Sequence, residues 1–404
     1  MTDSIEAIPG GHLTTPAGFL AGAVSAGIKT KAGALDLAIL YSERDCSVGG
    51  VFTTNLVRSA PVDVTEARIA TGSMRGLVAN SGCANAPFGG KGTSDAEEMA
   101  ELAAKQVGVA PESFGVSSTG VTGVLMPMDK VRAGLRQIAP TREGGPAFAR
   151  AIMTTDTRPK EVAFAVKTDG GAYTIGGCAK GSGMIHPNMA TMLCYVTTDA
   201  AVEPSFLRGA VRETADATLN MVTVDGDTSC SDTFLVFANG AAGGPAITAG
   251  TPAAETFRRA LLAVCTHLAR ELARDGEGAQ HLIEVEVTHA ASLQDARLMA
   301  RTVALSSLVK TAVAGRDPNW GRILVAAGRS GARIDTKTVR LGVQGETLFD
   351  QGSALPFSET ELRARLAADE VSIEIDLGLG NWAAKAWGCD LTTDYVHINA
   401  DYRT

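Results

Sequence analysis

Aromatic residues are scarce in this chain: tryptophan, tyrosine and phenylalanine together make up 5% of 404 residues. A core with so few rings must close with small and aliphatic side chains, and the 45 glycines argue for tight turns and close backbone packing. No apolar stretch is long enough for a membrane span, so no membrane helix is expected. Dense clusters of lysine and arginine are also missing. With a net charge of -8 and a pI near 5.4, the chain is a poor match for nucleic acid or an anionic membrane and a better one for small molecules. The first lysine is Lys29, and Asp3 and Glu6 precede it without a long apolar core. Neither a secretory signal nor a basic transit peptide is therefore expected. The seven cysteines, Cys46, Cys83, Cys178, Cys194, Cys230, Cys265 and Cys389, are widely spaced and never form a CxxC pair. They read as reduced, mostly buried thiols of a cytoplasmic protein. The six histidines are equally scattered, with no HExxH and no His/Cys grouping at metal-ligand spacing, so no metal centre is expected.

What is present is ordinary for a globular protein: 45% hydrophobic and 20% charged residues. A chain of 404 residues exceeds a usual single domain, which predicts two lobes or one large layered body. Ser94 with Glu97 forms a capping box, and Met99, Leu102, Ala103 and Val107 continue as one apolar stripe that stops at Gly108, predicting an amphipathic helix. Pro204 and Pro252 suit the first turns of two more helices. In the second of these, Phe257, Leu261, Val264, Leu268 and Leu272 line one face, and Gly276 marks its end. Leu282–Val287 and Val371–Ile375 alternate as strands, and Ser358 with Glu361 opens a further helix by a capping box. Strands with antiparallel neighbours between helices point to mixed α+β layers. No fixed-period repeat occurs.

The most informative run is Lys180 to Asp199, KGSGMIHPNMATMLCYVTTD. An internal threonine hydroxyl is a poor nucleophile, because nothing beside it in sequence takes its proton. If the Ala190-Thr191 bond were cut, Thr191 would carry its own α-amine, whose reference pKa of roughly 7.7 to 8.0 suits a general base. Threonine with its own N-terminal amine is a recognised activated nucleophile. Gly181 and Gly183 allow unusual backbone angles, Pro187 fixes one φ, and Ala190 leaves the scissile carbonyl uncrowded. On composition alone, a Gly-Ser-Gly turn followed by apolar residues is more often a loop leading into a buried strand.

The pieces Lys180–Met184 and Ala190–Leu193 change that weighting. They resemble the autoprocessing site of the glutamate N-acetyltransferase (ornithine acetyltransferase) family, and the likeness continues through most of the chain. The resemblance implies an N-terminal-nucleophile-like acyltransferase of α+β class, a layered α-β-β-α sandwich with a smaller α/β lobe. It further implies cleavage into residues 1–190 and 191–404, both products contributing to one folded body and pairing as two copies of each. In that family the turn within VSSTGVTG, Val116 to Gly123, supplies the oxyanion hole, here the Thr119 hydroxyl and the Gly120 amide; without the family it is a strand-end loop. Ala190 and Thr191 flank the cut, and Thr191 is the nucleophile and also touches substrate. Substrate binding falls by the same resemblance to Thr154, Lys180, Glu277, Asn399 and Thr404. Each has a plainer reading: a turn threonine, a solvated amine, a loop carboxylate, and two residues of a frayed terminus. After the glutamate this chain has Gln280 and His281 where the family pattern leads one to expect threonine and lysine, a departure that bears on acceptor range.

The implied activity moves acetyl from N2-acetyl-L-ornithine to L-glutamate through an acetyl-threonyl enzyme, in arginine biosynthesis, without a metal or organic cofactor. Acetyl-CoA would serve as an alternative donor if the pocket admits it. Two rivals are a related self-cleaving aminopeptidase or amidase, which passes the acyl group to water, and an uncleaved amino-acid-binding protein. VTVDGDTS at Val222 to Ser229 and GRDPNWGR at Gly315 to Arg322 also resemble family signatures and are given structural roles. GGKGTS at Gly89 to Ser94 lacks the spacing of a P-loop, GLG at Gly378 to Gly380 is too short for a dinucleotide fingerprint, and Asp225 with Asp227 reads as a turn pair before a metal site.

Overall fold

The computed structural model of the chain describes residues 3–186 and 192–401. Its architecture is α+β, with helices packed on two mixed sheets. The larger sheet has nine strands, and its spine is the 16-residue strand Leu37–Phe52. Residues 37–42 of that strand pair with Phe19–Val24, and residues 47–52 pair with Thr233–Ala238. Strand Ser73–Cys83 pairs along the other edge, with its register shifted between Tyr41 and Cys46. One long strand thereby joins the two halves of the sheet.

The central strands Leu193–Thr198 and Thr233–Ala238 run parallel and are buried at every position. They therefore read as continuous apolar or β-branched runs, as strands covered on both faces do. Alternate side chains serve opposite layers. Leu193, Tyr195, Leu235 and Phe237 join one cluster, where Phe148 of helix Gly145–Ile152 meets the Tyr195 ring edge-on at 5.5 Å between centroids. Cys194, Val196, Phe234 and Val236 face the other way, towards helices Pro204–Ala217 and Pro252–Arg274.

Helix Pro252–Arg274 packs on the larger sheet through Lys160–Thr168 and Gly171–Lys180, and on the smaller, seven-stranded sheet through Leu282–Ala290 and Trp382–Cys389. Thr251 caps its start through Oγ1, and Asp275 follows its last turn, one residue before the expected stop. In the smaller lobe, Val285 and Val287 are buried while Glu284 and Glu286 are partly exposed, which explains the alternation seen in sequence. Ser358 accepts from the Glu361 amide as predicted.

The helix expected from Ser94 begins five residues earlier, at Gly89. The GGKGTS run is its first turns. Gly92 fits there because a Cβ would crowd Asn85 Oδ1 at 3.0 Å, and Lys91 pairs with Asp95 one turn on. The predicted C-terminus holds, with Gly108 in the left-handed region at φ 75°. All seven cysteines are free and buried. Among the described residues, no helix is long and apolar enough to cross a membrane.

Candidate active site

An open cleft of about 820 Å3 lies where several element ends meet, and Thr119, Gly120, Thr154, Lys180, Glu277 and Asn399 all line it. Six residues singled out from sequence thus share one cavity. Ala190, Thr191 and Thr404 lie outside the described residues. Met192, the next residue after Thr191, lines the cleft.

Thr119 and Gly120 sit near the end of strand Phe114–Val121, which runs parallel to Ser73–Cys83 and sets Gly120 opposite Gly82. Gly120 has φ 120°, and a Cβ there would come within 2.6 Å of the Gly82 backbone. Only glycine meets both demands. Thr119 Oγ1 accepts from Lys180 Nζ at 3.2 Å, which leaves the hydroxyl proton for a second acceptor. A hydroxyl and an amide at one strand end, beside a buried lysine, can stabilise a developing oxyanion.

Lys180 ends strand Gly171–Lys180 and is 7% exposed. Burial lowers its pKa, and the nearby Asp156 and Asp232 oppose that shift. The two glycines of the following turn have different causes. Gly181 has φ 153°. At Gly183 a Cβ would overlap the Glu277 carboxylate. Glu277 follows the long helix Pro252–Arg274, is 5% exposed, and donates its amide to the Ser182 carbonyl at 2.9 Å. Its carboxylate accepts from Asn399 Nδ2 at 2.7 Å.

Asn399 belongs to the C-terminal helix Thr393–Asp401, which packs so closely on Gly278 that a Cβ there would lie 2.6 Å from the Tyr395 amide. The helix reaches the cleft through Tyr395 and Asn399, where a frayed terminus is the plainer reading of the sequence.

The Val222–Ser229 segment does more than the structural role expected of it. Asp225 accepts the amides of Met184 at 2.6 Å and Ile185 at 2.9 Å, and Tyr395 reaches it at 3.3 Å. Asp227 and Ser229 line the cleft, as do Cys230, Ser231 and Asp232 just downstream. Burial and the neighbouring Asp225 raise the pKa of Tyr395. The glycine at position 226, with φ 88° between two aspartates, was the available signal. Among the described residues that line the cleft are four carboxylates, Asp225, Asp227, Asp232 and Glu277, and one lysine, Lys180. Such a balance suits a ligand with a cationic arm and one carboxylate.

Deeper still, Lys160 bridges Asp156 and Asp275 at 2.6 Å each, with all three side chains at most 2% exposed. Burial alone would raise the Asp156 pKa, yet Lys160 and Lys180 bring it down to about 2. His186 bonds Thr223 at 3.0 Å and Arg301 at 3.0 Å. Burial and the Arg301 charge lower its pKa to about 4, so its ring is neutral at pH 7.

Gln280 and His281 offer their amides to Asp390 at 2.8 and 2.9 Å. The His281 ring bonds the Ala368 carbonyl at 2.7 Å, and neither residue lines the cleft. Among the described residues no group of three or more His, Cys, Asp and Glu side chains is placed to hold a metal ion.

The model of the ArgJ family matches residues 20–404. The arginine biosynthesis bifunctional protein ArgJ of Dehalococcoides mccartyi (strain CBDB1) is 50% identical over 100% of both chains. Its counterpart in Symbiobacterium thermophilum is 53% identical over 98% of this chain and 99% of its own. A crystal structure of arginine biosynthesis bifunctional protein ArgJ from Bacillus halodurans superposes with a TM-score of 0.51 at 46% identity, covering 52% of this chain and 100% of that one.

Proposed function

The chain belongs to the ArgJ family, and from that premise we propose that it is a self-cleaving acetyltransferase of arginine biosynthesis. It moves acetyl from N2-acetyl-L-ornithine to L-glutamate, with Thr191 as nucleophile. The observation that carries this reading is the convergence of Thr119, Gly120, Thr154, Lys180, Glu277 and Asn399 on one cleft that Met192 also lines.

In the first half-reaction the α-amine of Thr191 takes the hydroxyl proton as Oγ1 attacks the acetyl carbonyl. The Gly120 amide and the Thr119 hydroxyl hold the oxyanion, and the Lys180 ammonium that donates to Thr119 strengthens that hydroxyl as a donor. The tetrahedral centre collapses, the C–N bond breaks, and the Thr191 ammonium returns its proton to the departing ornithine amine. The second half runs in reverse order with the amine of glutamate attacking the acetyl ester, and N-acetyl-L-glutamate leaves. Lys180 pairs with the α-carboxylate that both amino acids share. The acidic rim formed by Asp225, Asp227, Asp232 and Glu277 receives the side-chain ammonium of ornithine. Acetyl-CoA as a second donor, in keeping with the word bifunctional in the relatives' names, acylates the same Thr191.

The cut falls between Ala190 and Thr191, giving chains 1–190 and 191–404. The second of these is the longer product. Strand Leu193–Thr198 of that product pairs on one side with Gly171–Lys180 of the other, so the two products stay joined in one sheet. Two copies of each in the cytoplasm complete the reading, and no cofactor is needed for any step.

Intact mass and a single acylation assay test it. Two chains split before Thr191, with an acetyl adduct of roughly 42 Da that forms on the longer chain from acetylornithine and leaves on adding glutamate, are expected. Loss of the adduct to water at the same rate without glutamate would make it a hydrolase, and one intact, unacylated chain would make it a binding protein.

A further inference from the structure

The buried triad Asp156, Lys160 and Asp275 lies behind the cleft, and the transfer chemistry gives it no part. Its bonds nevertheless reach three of the segments that face substrate. Asp156 Oδ1 accepts from Lys160 Nζ at 2.6 Å and from the Gly181 amide at 2.7 Å, while Oδ2 accepts from the Thr154 amide at 3.0 Å. Asp275 accepts from Lys160 at 2.6 Å, from the Thr157 amide at 3.1 Å and from the Thr157 hydroxyl. Its carbonyl accepts from Ser182 Oγ at 2.6 Å, and the Ser182 carbonyl in turn receives the Glu277 amide. Thr154 and Gly181 are thus tied by their amides to the Asp156 carboxylate, and Glu277 is tied to the Asp275 backbone through Ser182, by bonds that leave the Thr154, Lys180 and Glu277 side chains to the cleft.

Charge gives the triad a second consequence. Two carboxylates and one ammonium leave a net negative charge in a dry interior, where an uncompensated charge is costly. Lys180 is close enough to offset it, and Lys29 also lies within electrostatic reach of Asp156. The charged groups facing Lys180 are Asp156, Asp232 and Glu277 of one sign and Lys160 and Lys29 of the other, with the Thr119 hydroxyl as its hydrogen-bond partner.

We propose that Asp156, held by Lys160 and Asp275, is a positioning residue for both the self-cut and acetyl transfer: it fixes Thr154 and the Gly181 turn, and it sets a carboxylate facing Lys180. The inference rests on the acetyl transfer proposed above. It concerns a residue that touches neither substrate nor the reacting atoms.

The test measures acetyl-enzyme formation from acetylornithine against pH for the wild type, Asp156→Asn and Asp156→Glu, together with the rate of the self-cut. The negative charge of Asp156 raises the proton affinity of Lys180, so removing it moves the alkaline limb of the rate profile to lower pH. Asp156→Asn therefore acylates on the order of 10²-fold more slowly with a shifted limb. Asp156→Glu keeps the charge but displaces Gly181 by a methylene, so it slows by at least about tenfold with the limb unmoved. Wild-type speed in Asp156→Glu overturns the inference, including in the case where Asp156→Asn does not fold. So does a slowed Asp156→Asn whose limb stays in place, since a merely structural carboxylate would behave that way. A wild type that takes no acetyl from acetylornithine sinks the transfer reading instead.

Discussion

Two cavities divide the work of this molecule. The cleft at the end of the larger sheet is lined by carboxylates, hydroxyls, an amine and glycines drawn from distant parts of the chain. A second, tighter cavity in the smaller lobe, with free space of about 20 Å3, is lined mainly by apolar residues such as Val309, Ile323, Val343, Leu348, Val371 and Ile373, together with Asp317, Pro318, Asn319 and Trp320. The GRDPNWGR segment thus belongs to packing, in line with the structural role expected of it, and Trp320 stacks obliquely on Phe349 at 5.7 Å between centroids. The VTVDGDTS segment, given the same expectation, reaches the cleft. The contrast is physical. Around the cleft, polar atoms are satisfied by one another at a cost in desolvation, which a site accepts for its chemistry. Around the second cavity the burial is mainly apolar and favours stability.

That contrast breaks most sharply at Thr191. Thr191→Ala should leave the chain uncut and lower acetyl transfer by on the order of 10⁴-fold or more, as loss of a nucleophile does elsewhere. Gel mobility, intact mass and turnover read this together. A variant that matured and transferred acetyl normally would remove the mechanism. Thr119→Val, close in shape to the original, should slow both the cut and the transfer by about 10²- to 10³-fold. Its melting temperature should stay near that of the wild type, since Thr119 supplies a donor and the core does not depend on it. An equal loss of stability and rate would place Thr119 with packing instead.

The opposite signature belongs to the smaller lobe. Leu348, 0% exposed in strand Glu346–Asp350, lines the apolar cavity, so Leu348→Ala enlarges a void that is already present. A loss of about 2 to 5 kcal/mol is expected, read by urea or thermal unfolding, while the rate of acetyl transfer well below the transition should be unchanged. A large fall in turnover at full folding would show the two cavities to be coupled, most directly through helix Pro252–Arg274, which touches both sheets.

How much of this was legible in the sequence follows from how local each cause is. The Ser358 cap, the Gly108 stop and the alternation of Leu282–Val287 are set by residues within a few positions, and they were readable. Ser94 misled because a capping box is only a local option. The helix already starts at Gly89, and in its first turn Gly92 packs closely against Asn85 and accepts its side-chain amide. Among site residues, Gly181 and Gly183 could be noticed as a pair, but the reason for the second is Glu277, far away in sequence. The acidic rim at Asp225 and Asp232 and the triad were hidden for the same reason. Lys160 and Asp275 stand 115 positions apart, and nothing in either neighbourhood announces the other. Resemblance to a family located Thr119, Lys180 and Asn399, and it carried no information on the buried groups that hold them.

The smallest expected effect tests where the apolar interior stops. His186 sits just before residues 187–191, bonded to Thr223 and within reach of the Arg301 guanidinium. Burial first, and then Arg301, lower its pKa from 6.5 to about 4, so the folded state resists a proton that the unfolded chain accepts. The contribution is fully present above pH 6.5, shrinks as pH falls from 6.5 towards 4, and levels off below that. Because the ring is only partly buried, solvent screening keeps the effect modest. The denaturation midpoint of the wild type should therefore fall across this window more steeply than that of His186→Asn, which cannot take up the proton. Carboxylate protonation acts on both proteins alike below pH 5 and cancels in the difference. Parallel curves would mean that His186 is solvated enough to charge freely in the folded state. The boundary between the wet cleft and the dry interior would then lie behind His186, on the Thr223 side.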